Sequence, residues 1–207
     1  VWLCGVDWGI YADVENGSYL KDIPLEKALS DDVLVAYEMN GGPLPAEHGF
    51  PLRAIVPGYY GTNSVKWLSQ ISVQSERPQS LFTTRLYNTV VDGVLTPVWA
   101  MAVNSRLTTP GEGDVLALGD QHQVAGWAWG DARVVAVDVS VDGGKTWARA
   151  DLDDRDDGCA WQGFRLAWTP GRVGAYGLVA RATDARGAVQ PQDLHINQAH
   201  FVSVTVR

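Results

Sequence analysis

The sequence is poor in sulfur and in positive charge, and each shortage argues against a class of protein. Its 2 cysteines, among 207 residues, are Cys4 and Cys159. Two distant cysteines make no disulfide framework, and each is expected to be a small buried hydrophobic residue. Lys and Arg number 16 against 24 Asp and Glu, which gives a formal net charge of −8. This balance argues against a nucleic-acid partner, because a duplex-binding surface needs clustered cations.

Long hydrophobic runs are also missing. The hydrophobic fraction is 46%, but no uninterrupted apolar segment approaches the roughly 20 residues that a membrane-spanning helix needs. We therefore expect no membrane span in this chain. A length of 207 residues allows one large domain or two modest ones, each with its own core.

The first part of the chain, residues 1–97, mixes the patterns of helices and strands. Pro24 followed by good helix formers predicts a short helix over residues 24–29. Apolar runs predict a buried strand at residues 33–37 and further strands at 52–56 and 66–73. We interpret this part as an α+β partial domain.

The second part, residues 98–207, has a different periodicity. Val135, Val137, Val139 and Val141 alternate with smaller or polar residues, which is the pattern of a half-buried strand. Similar strands are predicted at residues 123–129, 147–152, 164–168, 176–183 and 202–206. Turn signals separate them and no helical segment intervenes, so an immunoglobulin-like β-sandwich is predicted.

The most informative segment is Glu47 to Leu68, because it places three basic side chains at the ends of two short strands. They are His48, Arg53 and Lys66. The connection at residues 59–63 contains a glycine, and we expect its backbone donors to face outward. An arginine fork and a lysine point charge beside such a loop suit a phosphate group. The alternative is that all three are ordinary solvated surface groups.

Ordered short motifs along almost the whole chain resemble those of one known family. These motifs are Tyr37-Glu38-Met39-Asn40-Gly41, Pro43-Leu44-Pro45, His48-Gly49-Phe50-Pro51-Leu52-Arg53, Val56-Pro57-Gly58, Val65-Lys66-Trp67, Pro97-Val98-Trp99, Val103-Asn104-Ser105 and Thr109-Pro110. The chain thereby resembles the sulfite oxidase family of molybdenum-cofactor oxidoreductases, which includes the molybdenum domain of assimilatory nitrate reductases. The resemblance implies the C-terminal part of a molybdopterin-binding domain at 1–97 and an Ig-like dimerisation domain at 98–207.

The resemblance also implies a cofactor, Mo-molybdopterin, and the residues that hold its pterin and phosphate. Carried over by position, these residues are His48, Arg53, Ser64, Val65 and Lys66. The family's metal is held by a cysteine thiolate that belongs to a segment upstream of residue 1, so we assign no metal ligand, and Cys4 is not one. We accordingly expect this chain to be part of a longer protein and to be inactive alone.

Tyr87 is the position at which the family has a tyrosine that lines the substrate pocket. A phenol there can donate a hydrogen bond to a bound oxyanion. The alternative is a tyrosine that packs its ring and leaves its hydroxyl at the surface. No catalytic residue is assigned from the sequence.

One departure from the family leaves the substrate open. Sulfite oxidases carry a pocket arginine shortly after a Gln-Pro pair, but here Gln190-Pro191 is followed by residues 192–201, which contain no arginine. His195 or His200 could replace part of that charge, although a surface histidine is the simpler interpretation. A small oxyanion or sulfur substrate is predicted, but sulfite itself does not follow.

Two further patterns are interpreted as structural. Residues 140–147 match the Asp-box hairpin of sialidase propellers, but a propeller would repeat the motif and this chain has it once. The acidic residues Asp151, Asp153, Asp154, Asp156 and Asp157 lack the spacing of a calcium-binding loop and are interpreted as a solvated hairpin tip.

Three classes of function remain to be separated. The first is a molybdenum oxidoreductase that passes an oxo group between its cofactor and a small substrate. The second is a carbohydrate-binding or sialidase-like β module, and the third is a purely structural dimerisation fragment. For the first class the resemblance implies a homodimer formed through the Ig-like domain, a small anionic substrate and a redox partner such as a cytochrome or haem domain. The compartment is unknown from this sequence.

Overall fold

The structure is a computed structural model that describes residues 1–154, 160–193 and 196–207. Cys159, Asp156, Asp157 and His195 lie outside the described residues. The described chain consists mostly of strands, and its α-helices are two segments of four residues. In this part of the chain no helix is long and apolar enough to cross a membrane. Two compact units are present, Val1–Met101 and Ala102–Arg207.

The first unit contains eleven strands in small sheets, counted within the described residues. In chain order they are β1 Trp2–Gly5, β2 Gly9–Tyr11, β3 Val14–Asn16, β4 Leu20–Asp22, β5 Leu34–Ala36, β6 Glu38–Met39, β7 Gly42–Pro43, β8 Arg53–Ile55, β9 Leu68–Ser72, β10 Asn88–Val91 and β11 Val94–Pro97. Helix α1 spans Leu25–Ala28 and α2 spans Leu81–Thr84. Strand β1 lies between β4 and β9, antiparallel to both. The core of the unit packs around this sheet and consists of Leu3, Ile23, Ala54, Val56, Val65 and Leu68.

The predicted helix at residues 24–29 forms as α1. Pro24 occupies its N-cap position, where the missing N–H of proline costs no helical hydrogen bond. The α+β interpretation holds only loosely, because these helices are single turns among many strands.

The prediction of a buried strand at residues 33–37 was wrong about burial. Strand β5 forms there and pairs with β8, but Leu34 is 55% exposed and Tyr37 is 63% exposed. The two strands form a two-stranded ribbon, and a ribbon leaves its outward side chains in solvent unless another layer packs on them. An apolar run by itself does not report whether such a layer is present.

The strand predicted at residues 66–73 begins at Leu68 instead. Trp67 has a φ of 49°, in the left-handed region, which interrupts extended backbone before β9. Lys66 and Trp67 are therefore displayed on the segment that leads into the strand.

The second unit is a sandwich of two sheets. Its strands are β12 Asn104–Thr109, β13 Val115–Leu116, β14 His122–Trp129, β15 Val134–Ser140, β16 Ala148–Arg149, β17 Asp151–Leu152, β18 Gln162–Trp168, β19 Gly174–Asp184 and β20 Phe201–Val206. One sheet has the order β12-β14-β18-β17 and the other β13-β20-β19-β15-β16. This arrangement agrees with the predicted immunoglobulin-like sandwich. Side chains from both sheets form one core, with Val124, Val137, Leu178 and Ala182 fully buried at its centre.

The predicted alternation on β15 fails at Val135, and Ala136 and Ser140, which were expected on the outer face, are buried. Val137 and Val139 are buried as expected, whereas Val135 is 49% exposed. The pairing register between β15 and β19 shifts between Val134 and Ala136. A bulge of this kind turns one side chain to the opposite face, so Val135 points outward.

The strand predicted at residues 147–152 divides into two. Strand β16 pairs with β15 in the five-stranded sheet, while β17 pairs with β18 in the four-stranded sheet. Buried Ala150 lies between them and joins the core. The chain therefore crosses from one layer of the sandwich to the other within a few residues.

Candidate cofactor and substrate site

The three predicted basic residues come together around a short 3₁₀ turn, Ala46–His48. Three successive carbonyls of this turn accept hydrogen bonds from side chains of neighbouring segments: Ala46 from Trp67 Nε1 at 2.8 Å, Glu47 from Lys66 Nζ at 2.9 Å, and His48 from an Arg53 guanidinium nitrogen at 3.1 Å. We call His48, Arg53 and Lys66 the cation cradle. The hydrogen bonds fix both side-chain stems and leave further donors of each cation free to bind a ligand.

Gly49 permits this close approach. It follows the turn with a φ of 107°, a conformation that L side chains rarely adopt. A Cβ atom at this position would lie 2.9 Å from the Cβ of Lys66 and 3.2 Å from the Cβ of Arg53. The backbone of the turn therefore packs directly between the two cations.

The positive charge of the cradle is not neutralised by the protein. Within residues 1–154, 160–193 and 196–207, neither Arg53 nor Lys66 belongs to an ion pair. In the same described ranges, the Nε atom of Arg53 is buried and has no hydrogen-bond partner. A buried donor without a partner costs free energy, so this arrangement favours binding of an acceptor from outside the chain.

Ser64 and Val65 lie in the segment beside the cradle. The Ser64 hydroxyl accepts a hydrogen bond from the Val56 backbone N–H at 3.1 Å, and its own proton remains for another acceptor. Val65 is 1% exposed and belongs to the core. Its side chain therefore contributes packing, and only its backbone could take part in binding.

The expectation that backbone donors of residues 59–63 face outward was wrong for three of them. The N–H of Tyr59 donates to Val56, that of Tyr60 to Trp99, and that of Asn63 to Tyr60. A 3₁₀ turn at Gly61–Asn63 consumes donors that the loop interpretation left free. Any anion at this site must depend more on side-chain cations than on these amides.

Tyr87 lies in an aromatic cluster with Phe82 and Tyr19. Its ring stacks on Phe82 with centroids 6.3 Å apart, and Phe82 contacts Tyr19 at 4.6 Å. Tyr87 is 36% exposed, which leaves it accessible to a ligand. Its φ is 54°, unusual for a residue other than glycine.

Neighbouring hydrogen bonds hold Tyr87 in this conformation. The Val98 N–H donates to the Tyr87 carbonyl at 2.9 Å. The next residue, Asn88, donates from its side chain to the Thr83 and Leu86 carbonyls. Strained backbone that is held by several contacts is common at binding sites, where it directs one side chain.

Lys21 lies under this cluster and is 0% exposed. Its Nζ donates to the Phe82 carbonyl at 3.3 Å and lies 5.1 Å from the centroid of the Tyr87 ring. Burial lowers the pKa of Lys21 to about 8, and the nearby Asp22 and Arg77 act in opposite directions. The ammonium is therefore charged at neutral pH at a considerable desolvation cost.

Tyr19 connects the aromatic cluster to the loop beside the cradle. Its hydroxyl donates to the Thr62 carbonyl at 2.8 Å, two residues before Ser64. Burial, followed by the proximity of Tyr87 and Asp7, raises the pKa of Tyr19, so its proton stays in place. Tyr19 and Phe82 also line a pocket of about 160 Å³.

Cys4 is a half-buried thiol on β1 whose Sγ lies 3.5 Å from the Ser18 hydroxyl.

The Asp-box segment forms the structural turn that was predicted: Oδ1 of Asp142 accepts from the Lys145 and Thr146 backbone N–H groups. The Trp147 indole closes this turn by donating to the Gly144 carbonyl.

The histidine proposed to replace the missing arginine is a weak candidate for a cation. Burial, followed by the charge of Arg106, lowers the pKa of His200, while Glu112 has the opposite effect. His200 is therefore neutral at pH 7.

Gln190 of the Gln-Pro pair is 1% exposed and accepts a hydrogen bond from Ser105 at 2.6 Å, which gives it a structural role within the second unit.

Reasoning from the sequence missed Lys21, Trp67 and Gly49 as parts of the site. Gly49 had a signal, because a glycine just after a basic residue and before Phe-Pro indicates a turn with special backbone geometry. Lys21 had none, since a lysine between Leu20 and Asp22 in a short strand is expected to face solvent.

Comparison with known proteins identifies the family of the chain. Residues 1–82 match the family described as oxidoreductase molybdopterin binding domain, and residues 96–203 match the Mo-co oxidoreductase dimerisation domain. The chain belongs to the sulfite oxidase family. Members of this family are molybdenum-cofactor oxidoreductases, and the chain carries matches to both of their characteristic domains.

Individual members of the sulfite oxidase family are similar over most of the chain. Mitochondrial sulfite oxidase of Homo sapiens is 37% identical over 201 residues, which cover 88% of this chain and 37% of that protein. A nitrate reductase [NAD(P)H] of Hordeum vulgare is 38% identical over 143 residues, 59% of this chain and 16% of that protein. The crystal structure of the sulfane dehydrogenase SoxCD from Paracoccus pantotrophus superposes with a TM-score of 0.75 at 30% identity, covering 97% of this chain and 54% of that one. The chain spans well under half the length of these curated relatives.

Proposed function

We propose that the chain forms part of a sulfite oxidase-like enzyme that transfers an oxo group between Mo-molybdopterin and a small oxyanion or sulfur substrate. The cation cradle would hold the pterin phosphate, and Tyr87 would face the substrate. When bound, the cofactor supplies the two-electron redox chemistry, and the protein supplies binding, orientation and charge. The α+β character of residues 1–97 as part of a larger cofactor domain belongs to the same proposal.

The observation that supports cofactor binding most directly is the uncompensated charge of the cradle. Arg53 has a buried Nε without a partner in the described part of the chain, and neither Arg53 nor Lys66 forms an ion pair there. A dianionic phosphate would supply acceptors to both cations and to the Ser64 hydroxyl. The donor set therefore fits the phosphate end of this cofactor.

The role proposed for Tyr87 rests on its exposure and its fixed direction. Tyr87 is partly exposed and its backbone conformation is held by contacts of Asn88 and Val98, so its phenol can donate to an oxygen of a bound substrate. Such a hydrogen bond strengthens as negative charge develops on the acceptor during reaction. Tyr87 would then affect turnover and not cofactor content.

The remaining parts of the proposal concern partners. The second unit would pair two copies of the protein into a homodimer, as the name of its family indicates. A cytochrome or haem domain would exchange electrons with the cofactor. The absence of the pocket arginine after Gln190-Pro191 leaves the substrate at the level of a small oxyanion or sulfur compound.

The test compares Arg53→Ala with Tyr87→Phe in the cofactor-loaded protein. Arg53→Ala should lower molybdopterin content, while the loaded fraction turns over almost normally, because the phosphate loses its fork-shaped partner. Tyr87→Phe should keep full cofactor content and lower kcat/KM for the oxyanion by on the order of tenfold. Ser64→Ala is the matched control for Arg53→Ala and should lose less cofactor.

Pterin content and steady-state kinetics, measured with sulfite as the test substrate, decide between the outcomes. The assignment of these positions is wrong if Tyr87→Phe removes the cofactor. It is equally wrong if Arg53→Ala keeps the cofactor and changes only turnover.

A further inference from the structure

We propose that Lys21 is a positioning residue for Tyr87, whose buried ammonium holds the face of the Tyr87 ring and so directs the phenol toward an anionic substrate. The inference rests on the substrate role proposed for Tyr87. Lys21 lies in none of the short motifs on which the family resemblance depends. The structural observation behind the inference is a buried cation that the proposed cofactor site does not use.

The geometry leaves the Lys21 ammonium few other functions. It has no exposed surface, so it cannot serve solubility or contact a partner. It donates to a neutral carbonyl, that of Phe82, at 3.3 Å. Its remaining interaction is with the Tyr87 ring, 5.1 Å from the centroid, within the range in which a cation is attracted to an aromatic face.

Phe82 contacts both Lys21 and Tyr87. Its carbonyl fixes the ammonium, and its ring stacks on Tyr87 at an interplanar angle of 17°. The Tyr87 ring is thus held by an aromatic neighbour and a buried charge, while its backbone has the strained φ described above. Removing the charge takes away the cation over the Tyr87 ring and the donor to the Phe82 carbonyl, while the strained backbone of Tyr87 keeps its own hydrogen bonds.

The charged groups around Lys21 do not cancel its charge. Asp22, the next residue on β4, is committed to Arg77 through two hydrogen bonds of 2.6 and 2.9 Å. That ion pair is close to neutral overall. The strand facing Lys21 contributes Leu3, and α2 contributes Phe82. Arg77 also reaches the Asn88 side chain at 3.4 Å, and Asp7 acts on Tyr19 in the same aromatic cluster. Among these charges, that of Lys21 lies over the face of the Tyr87 ring.

This arrangement predicts an alkaline loss of substrate positioning. Because burial lowers the pKa of Lys21 to about 8, the ammonium loses its proton in a range where ordinary lysines stay charged. The ring then loses the cation beneath it. The kcat/KM for an oxyanion should fall as the pH rises through about 8, while cofactor content stays constant.

The test uses the cofactor-loaded protein and three variants. Lys21→Met fills the same buried space without charge and should lower kcat/KM for sulfite at pH 7 by on the order of tenfold, with unchanged molybdopterin content. Lys21→Arg keeps a charge at all accessible pH values and should remove the decline near pH 8. Lys27→Met is the matched control, because Lys27 lies 5.5 Å from the centroid of another ring, that of Tyr59, and should leave kcat/KM unchanged.

A second measurement does not depend on activity. In protein labelled with ring-¹³C tyrosine, the ring resonances assigned to Tyr87 by the Tyr87→Phe variant should shift as Lys21 loses its proton, with a midpoint near pH 8. That titration should vanish in Lys21→Met and persist in Lys27→Met. If the protein proves to have no molybdenum-dependent activity but the titration behaves in this way, the proposed function fails and the positioning role stands.

The positioning role is overturned if the Tyr87 resonance and its pH dependence are the same in wild type and Lys21→Met. It is also overturned if Lys21→Met lowers cofactor content and leaves kcat/KM per loaded site unchanged. Either result would make Lys21 a packing residue only.

Discussion

At the scale of single residues, Gly49 determines whether the cation cradle can form. It has a positive φ, and its missing side chain leaves room for both Lys66 and Arg53. Gly49→Ala would combine backbone strain with a close contact against the backbone and Cβ of Lys66. We expect it to lower the free energy of unfolding by about 1–3 kcal/mol and to reduce cofactor content.

Gly41→Ala is the control for this prediction. Gly41 also has a positive φ, of 81°, but a Cβ there would meet open space. Denaturant unfolding of both variants separates strain from crowding. Equal effects of the two substitutions would show that the close packing of the turn on Lys66 and Arg53 is unimportant.

Lys21 shows which residues of the candidate site could not be predicted from the sequence. The cation cradle was identifiable because Arg, Lys and His follow one another at strand ends, where side chains are displayed. Lys21 has the same chemistry and is 0% exposed, since α2 covers this part of β4 with Phe82. Which residue is covered by a distant segment is a tertiary property that no short sequence window contains.

At the scale of elements, the strands of the second unit were predictable where their hydrophobic period was regular. Val202, Val204 and Val206 are all buried as their alternation indicates. The bulge at Val134–Ala136 and the change of sheets at Ala150 were not predictable, because each depends on pairing with a particular partner strand. A signal that was overlooked is Asp92-Gly93, which joins β10 and β11 in a hairpin.

The Asp142 turn is an element whose stability should depend on pH. Hydrogen bonds from Thr146, followed by those from Ser140 and Lys145, hold the pKa of Asp142 well below its usual range. A carboxylate with a depressed pKa stabilises the folded state above its unfolded pKa of about 3.9 and loses that contribution as the pH falls toward the folded value. Asp142→Asn should therefore lower Tm at pH 7.

Thermal unfolding between pH 7 and pH 3 tests this expectation. The Tm difference between wild type and Asp142→Asn should be largest at neutral pH and shrink below about pH 4. Asp120→Asn, at an exposed position, is the control and should leave Tm almost unchanged. A difference between wild type and Asp142→Asn that stays constant with pH would mean that shape, and not charge, stabilises the turn.

At the scale of the whole molecule, we propose that the cofactor site includes residues beyond the cation cradle and Tyr87. The cradle is proposed to bind an anion, and it contains no thiolate that could bind the metal. We therefore expect a polypeptide of these residues alone to retain no molybdenum and to show no turnover. Elemental analysis of the purified polypeptide checks this, and stoichiometric metal would reopen the assignment of Cys4.

The whole-molecule prediction that depends on the second unit is its assembly into a homodimer. Of the tryptophans in this unit, Trp127 is 45% exposed and Trp161 is 59% exposed, and Trp161 stacks on Trp129 at 4.7 Å. Trp127 lies on β14 opposite Gly163 of β18, so these rings form one apolar patch on the outer side of the four-stranded sheet. Aromatic patches of this kind are typical of interface centres.

We expect sedimentation velocity to show a dimer at micromolar concentration. Trp161→Glu should shift the protein toward monomer, because two-fold symmetry places two such buried charges at the centre of the interface. Val173→Glu, which places the same charge on an exposed apolar residue in the loop before β19, should leave the dimer intact. A monomeric wild type would remove the dimer proposal altogether. A dimer that resists Trp161→Glu but dissociates with Val173→Glu would move the interface from the tryptophan patch to the end of the sandwich.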